Sequence, residues 1–72
     1  MTKKWITILS NLPAGGGWVI DLLYCKNTKE VCEIKSSPDG RRSDTYFPVR
    51  EFIPELYGPR GEYFLEKIKE VK

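Results

Sequence analysis

The apolar residues of this chain fall in short segments separated by turn residues, and that pattern predicts an antiparallel meander. Residues 18–25 are apolar at nearly every position except Asp21, and the segments 31–36 and 41–49 follow after turns at 27–30 and 37–40. In the second turn, Pro38 suits the second position of a type I turn. Gly40 suits the left-handed position that closes a bulged hairpin with a three-residue turn.

The segments outside the meander complete a predicted α+β fold. A strand is predicted over 4–9 and a glycine-rich loop over 10–17. Pro54 begins a single helical turn that Gly58 ends, and Pro59 begins a last helix. The apolar positions of that helix recur at helical spacing, at Phe64, Leu65, Ile68 and Val71. We predict that the 72 residues form a single domain, with a three- or four-stranded antiparallel meander, open or curled toward a barrel, and one C-terminal helix.

The bulged turn also predicts which side chains share a face of the sheet, whereas a two-residue turn would exchange those of the last strand. One face carries Trp18, Ile20, Leu22, Tyr24, Val31, Phe47 and Val49. The other carries Val19, Leu23, Cys25, Cys32, Ile34 and Tyr46, with Asp21, Arg42, Asp44 and Arg50 around them. One helix can cover only one face. The face bearing Leu23, Ile34 and Tyr46 is therefore expected to be covered by a partner or a second copy, by curling of the sheet into a barrel, or by the first strand and the Pro-rich segment.

The two cysteines are predicted to pair across the first hairpin. A two- or four-residue loop at 27–30 places Cys25 directly opposite Cys32, near disulfide reach. For an intracellular chain, two small buried thiols are the favoured interpretation. Two cysteines without any histidine cannot form a tetrahedral zinc site within one chain.

Charge and composition narrow the classes of function. Lys and Arg number 12 against 10 Asp and Glu, and the net charge of +2 is weak for a protein that coats DNA. The absence of His removes the commonest general base. Asp21 could suit a general acid if it were buried alone, but the favoured interpretation is a buried, hydrogen-bonded structural residue or one at a barrel rim. We expect no catalysis, no metal and no small-molecule cofactor. The lack of a signal peptide and of an 18-residue apolar stretch predicts a cytoplasmic protein without membrane contact.

Basic and aromatic residues on the predicted hairpins favour a non-catalytic module that binds nucleic acid. Basic side chains contact phosphates and aromatic side chains stack on bases. The candidate binding residues are Lys35, Arg41, Arg42, Tyr46 and Arg50. Carboxylates in the same stretch offset part of this charge, at Glu30, Glu33, Asp39 and Asp44. The alternative is a protein-binding adaptor, or a phage-type inhibitor, that docks on a larger protein machine through the apolar sheet face.

Three stretches carry a family resemblance. They are Leu-Pro and Gly-Trp within 12–18, Ser-Pro-Asp-Gly-Arg-Arg at 37–42, and Arg-Glu-Phe-Ile at 50–53. Their order resembles the landmarks of methyl-CpG-binding domains over about residues 12–57, and the order of strands and helix is equally similar to single-strand-binding transcription coactivators. The resemblance implies a small DNA-binding fold. The DNA-reading arginine of methyl-CpG-binding domains has no counterpart here, so base readout is assigned to no residue.

Overall fold

The computed structural model describes residues 4–71, which form a four-stranded antiparallel sheet followed by one helix. The strands lie in chain order and the sheet is open. Its elements are β1 (Ile6–Pro13), β2 (Val19–Cys25), β3 (Glu30–Ser36), β4 (Arg42–Pro48) and α1 (Pro59–Glu70). Two short 3₁₀ helices, Val49–Glu51 and Pro54–Tyr57, connect β4 to α1. The predicted α+β class, meander and C-terminal helix are confirmed, and the sheet does not close into a barrel.

The hairpin between β3 and β4 has the bulged turn that its residues predict. The N–H of Ser37 donates to the carbonyl of Arg41 at 2.9 Å, and the N–H of Gly40 donates to the carbonyl of Ser37 at 3.1 Å. Gly40 has a φ of 93°, a left-handed value that glycine adopts without steric cost. The turn thereby sets the register of β4, in which Phe47 lies opposite Val31.

The hairpin between β2 and β3 differs from the prediction by two residues of register. Its turn spans 26–29, not 27–30. Cys25 therefore lies opposite Glu30, and Cys32 lies opposite Leu23. The predicted position of Cys25 directly opposite Cys32 is wrong. The favoured interpretation, two small buried thiols, is confirmed, because both cysteines are free and buried. Because the shift is by an even number of residues, the side chains of β2 and β3 keep their predicted faces.

β1 is longer and less regular than predicted. The strand continues through part of the predicted loop 10–17 as far as Pro13, and it pairs with β2 across two register shifts. Asn11, near the second shift, has a φ of 58°, and its N–H donates to the carboxylate of Asp21 at 2.9 Å. Asp21 thus provides an acceptor for an N–H at an irregularity of the strand. This contact is the hydrogen-bonded structural role expected of Asp21.

One face of the sheet, which we call the core face, packs against α1. The buried cluster on this face consists of Leu12, Ile20, Leu22, Tyr24, Val31, Phe52 and Phe64. Phe64 belongs to the apolar stripe predicted for the helix, and it is fully buried. The rest of the stripe packs against the same cluster, at Leu65, Ile68 and Val71. The stripe is therefore part of the core, as the sequence indicates.

Phe52 joins the sheet, the Pro54–Tyr57 helix and α1. Its ring stacks on Tyr57 with centroids 5.3 Å apart, and it contacts Phe64 at 4.7 Å and Phe47 at 6.5 Å. The Tyr57 hydroxyl donates to the carboxylate of Glu33, which lies on the core face of β3. Tyrosine is protonated at neutral pH, and burial raises the pKa of Tyr57 further, so the hydroxyl also remains a donor in mildly alkaline solution. These contacts hold the connection between β4 and α1 against the sheet.

Close packing at the start of α1 requires glycine at position 61. Gly61 is buried, and a Cβ atom at this position would lie 2.2 Å from the carbonyl oxygen of Pro54 and 2.6 Å from its Cα. No side chain can occupy that space unless backbone moves. The absence of a side chain therefore sets how closely the Pro54–Tyr57 helix lies against the first turn of α1.

Replacing Gly61 with Ala is expected to destabilise the fold, because the backbone at Pro54 must move away from α1. Overpacking costs about 1–3 kcal/mol, whereas helix propensity favours alanine by about 1 kcal/mol. Urea unfolding followed by circular dichroism measures the free energy difference. Glu66→Ala, at an exposed position of the same helix, is the control and should stay within about 0.5 kcal/mol of the wild type. Equal stability of the two variants would contradict this account of Gly61.

Candidate binding site on the open face of the sheet

The second face of the sheet, which we call the open face, has no helix packed on it within residues 4–71. Its side chains include Val19, Asp21, Leu23, Cys25, Glu30, Cys32, Ile34, Arg42, Asp44 and Tyr46. The helices lie against the core face, as the burial of Phe64 and the bond from Tyr57 to Glu33 indicate. Tyr46 is 58% exposed. The open face therefore presents apolar and aromatic surface to other molecules.

An aromatic pair spans the open face from one edge of the sheet to the other. Trp5 precedes β1 and Tyr46 lies on β4, yet their ring centroids are 5.7 Å apart. Since β1 and β4 are the outer strands, the two rings can meet only above β2 and β3. Cys25 and Cys32 lie on those central strands and are 0% and 3% exposed. We call Trp5 and Tyr46 the aromatic arch, and we infer that it shields both thiols from solvent.

The thiol of Cys32 lies beside one end of the arch. Cys32 is the cross-strand partner of Tyr46. Burial raises the pKa of Cys32, which favours the protonated thiol. A buried, protonated thiol is a poor nucleophile. On this surface, Cys32 is therefore best described as a packing residue beneath Tyr46.

Arg41 and Arg42 lie at the tip of the hairpin between β3 and β4, and each has a carboxylate partner. The Arg42 guanidinium donates to both oxygens of Asp44, at 2.8 and 3.1 Å, and these bonds lower the pKa of Asp44. The Arg41 Nε atom lies 3.2 Å from a carboxylate oxygen of Asp39. Both arginine side chains are largely exposed, and exposed ion pairs are worth only about 0–1 kcal/mol. The arginines can therefore exchange a carboxylate for a phosphate at small cost.

The structure brings together only part of the residue set predicted from the sequence. Arg42 and Tyr46 lie on the open face of β4, and Arg41 lies in the adjoining connection. Lys35 lies on the opposite, core face, where it is the cross-strand partner of Ser43. Lys35 therefore cannot belong to one continuous patch with Tyr46.

Arg50 is also separated from the other predicted residues. It lies in the Val49–Glu51 3₁₀ helix, after the end of β4 that is remote from Arg42. Seven strand residues at about 3.3 Å each separate the two ends by about 20 Å. The prediction that Arg50 shares a strand face with Arg42 is wrong, because the chain leaves the sheet after Pro48.

Trp5 belongs to the open face but is absent from the predicted set. Alternation along β1 could have indicated its face, because Thr7, two residues later, pairs with Leu23 on the open face. Its neighbour on β4 could not be predicted, since the position of β1 in the sheet was undefined.

Charges within residues 4–71 are balanced. Lys3 and Lys72 lie outside these residues, so the remaining ten Lys and Arg equal the ten Asp and Glu in number. In the same part of the chain, no three His, Cys, Asp or Glu side chains are grouped as metal ligands. No helix in the described residues has the length and apolar character needed to cross a membrane.

Comparison of the chain with protein-family models, curated proteins and solved structures finds no match. The resemblance to methyl-CpG-binding domains and to single-strand-binding coactivators therefore stays a prediction from the sequence. A function has to be argued from the open face itself.

Replacing Tyr46 with Ala should expose Cys32 and speed its alkylation by iodoacetamide in the folded protein. Mass spectrometry of the modified peptides identifies which cysteine reacts, and urea unfolding shows whether stability has changed. Tyr63→Ala removes a tyrosine of comparable exposure from α1 and should leave the rate unchanged. An unchanged rate for Tyr46→Ala would show that the aromatic arch does not shield Cys32.

Proposed function

We propose that this protein binds single-stranded nucleic acid on the open face of its sheet. The observation that carries the proposal is the exposed ring of Tyr46 beside Trp5, on a sheet face that no helix of residues 4–71 covers. Aromatic side chains on such surfaces stack on unpaired bases, each for about 1–3 kcal/mol. Arg41 and Arg42, at the adjoining hairpin tip, would contact phosphates of the bound strand.

The proposal favours single strands over duplexes. Bases in a duplex are already stacked on one another, so the aromatic arch can contact them only after the strands separate. A single strand can turn its bases toward Trp5 and Tyr46 while its phosphates face solvent and the arginines. The apolar side chains of Leu23 and Ile34 extend this surface along the sheet.

The balanced charge supports modest affinity with a shallow salt dependence. Only a few phosphates can be neutralised by a surface on which Arg42 is paired with Asp44. The same balance favours a second candidate function, docking on a protein partner or a second copy through the open face. Sedimentation of the wild type and of Tyr46→Glu measures self-association and the part that Tyr46 plays in it.

Replacing Tyr46 with Ala should weaken binding of a fluorescein-labelled oligothymidylate about five- to a hundredfold, because one stacking contact is lost. Fluorescence anisotropy at low salt measures the dissociation constant. Tyr63→Ala is the matched control and should bind like the wild type, since Tyr63 lies on α1. Absence of binding by the wild type at micromolar protein and low salt would reject the proposal and leave protein docking.

Replacing Arg41 and Arg42 together with Glu should weaken the same binding and also make it less dependent on salt. Each lost phosphate contact reduces the slope of log affinity against log salt by about 0.7 for single strands. The matched control is Lys67→Glu with Lys69→Glu, which changes charge equally on α1. A similar loss in both double variants would mean that net charge, and not the hairpin tip, determines the affinity.

A further inference from the structure

A groove on the other side of the molecule combines apolar surface with two cations. Its first part is a cleft of about 440 Å³ between the end of β1, the core face and the Pro54–Tyr57 helix, and Leu12, Ile20 and Leu56 contribute to its apolar lining. Its second part, of about 330 Å³, lies beside α1 and includes Leu9 and Tyr63. Both parts are lined by Pro59 and Arg60, so we describe them as one lateral groove.

The charge of the lateral groove is unbalanced, in contrast to residues 4–71 as a whole. Lys35 lines the first part and Arg60 lines both parts, whereas no described Asp or Glu lines either. Lys35 and Arg60 are both exposed and so are free to contact a ligand in solvent. The groove therefore complements a ligand with negative charge.

The nearby carboxylates lie next to the groove but are not among its described lining residues. Glu33, two residues before Lys35 on the core face, accepts the hydrogen bond from Tyr57. Glu55 and Glu62 line a neighbouring depression, which shares Pro59 with the groove but not Arg60. A ligand carboxylate beside Lys35 and Arg60 would thus meet two cations without an adjacent competing acid in the groove lining.

The apolar side chains of the groove are exposed, as are its two cationic side chains. Leu56 is 73% exposed and Tyr63 is 47% exposed, one beside each part of the groove. Large apolar side chains at such exposure favour contact with an apolar group of a partner. A ligand that fits both properties carries carboxylates and aliphatic side chains on one extended chain.

We propose that the lateral groove binds an extended peptide segment in which acidic residues flank leucine-like side chains. The segment would place its carboxylates at Lys35 and Arg60 and an aliphatic side chain against Leu56. An oligonucleotide supplies the negative charge but no aliphatic group. The site is distinct from the open face, so it does not depend on the function proposed there.

The test uses a fluorescein-labelled peptide of repeated Glu-Glu-Leu units, with the full-length protein, in fluorescence anisotropy at low salt. It should bind at least about tenfold more tightly than peptides with glutamine for glutamate or alanine for leucine. Lys35→Glu with Arg60→Glu should weaken binding by about tenfold or more. Lys26→Glu with Lys29→Glu, which changes the charge equally at exposed positions of the 26–29 turn, and Tyr46→Ala should bind the peptide like the wild type.

Chemical-shift mapping with the wild type makes the test independent of any variant that fails to fold. The peptide should shift the amide signals of Lys35, Leu56 and Arg60 and leave those of Tyr46 unchanged. Three results would overturn the proposal. The glutamine peptide could bind equally well, the control double variant could lose as much affinity as Lys35→Glu with Arg60→Glu, or the shifts could be confined to the open face. Displacement of the peptide by oligothymidylate from Lys35 and Arg60 would assign the groove to nucleic acid instead.

Discussion

The contacts of Phe52 are the interaction on which the rest of this structure depends. Phe52 lies in the connection after β4, and its ring contacts Phe47 of the sheet, Tyr57 of the 3₁₀ helix and Phe64 of α1. Burial of each large apolar side chain is worth about 1.5–3 kcal/mol, and small domains are stable by only about 5–15 kcal/mol. This cluster therefore commits the only described α-helix to the core face, and the open face is left uncovered as a result.

No described helix covers the open face, but two aromatic side chains lie over its centre. Trp5 and Tyr46 extend from opposite edges and meet above the two cysteines. This arrangement protects the central strands but leaves much of Tyr46 in contact with solvent. A surface of this kind can serve a ligand without rearrangement of the backbone, because the rings are already held over the sheet.

The turn residues of the hairpin between β3 and β4 predicted its geometry. Pro38 and Gly40 specify one turn geometry by themselves, so the register of β4 and the distribution of side chains between faces could be predicted. The turn at 26–29 contains neither proline nor glycine, and Lys29 adopts a left-handed φ of 57°. Nothing in those residues alone selects that conformation. The predicted register of β2 with β3 therefore differs from the observed register by two residues.

Other features depend on contacts between distant residues. The irregularity at Asn11 is stabilised by Asp21, ten residues later and on the next strand. The meeting of Trp5 with Tyr46 requires the order of all four strands, which was not predicted for β1. The separation of Lys35 and Arg50 from Tyr46 likewise follows from the sheet and from the point where the chain leaves it. Candidate site residues could be chosen by type, but their grouping required the tertiary structure.

One edge of the sheet is irregular and the other is short, and this limits how copies of the protein can associate. β1 has two register shifts and ends at Pro13, while β4 ends at Pro48 and is followed at once by a 3₁₀ helix. Proline has no N–H to donate, and an irregular strand presents a poor template to another strand. Ladder hydrogen bonds from molecule to molecule are therefore disfavoured. The chain can keep an exposed aromatic face while the irregular edge at β1 resists the addition of further strands.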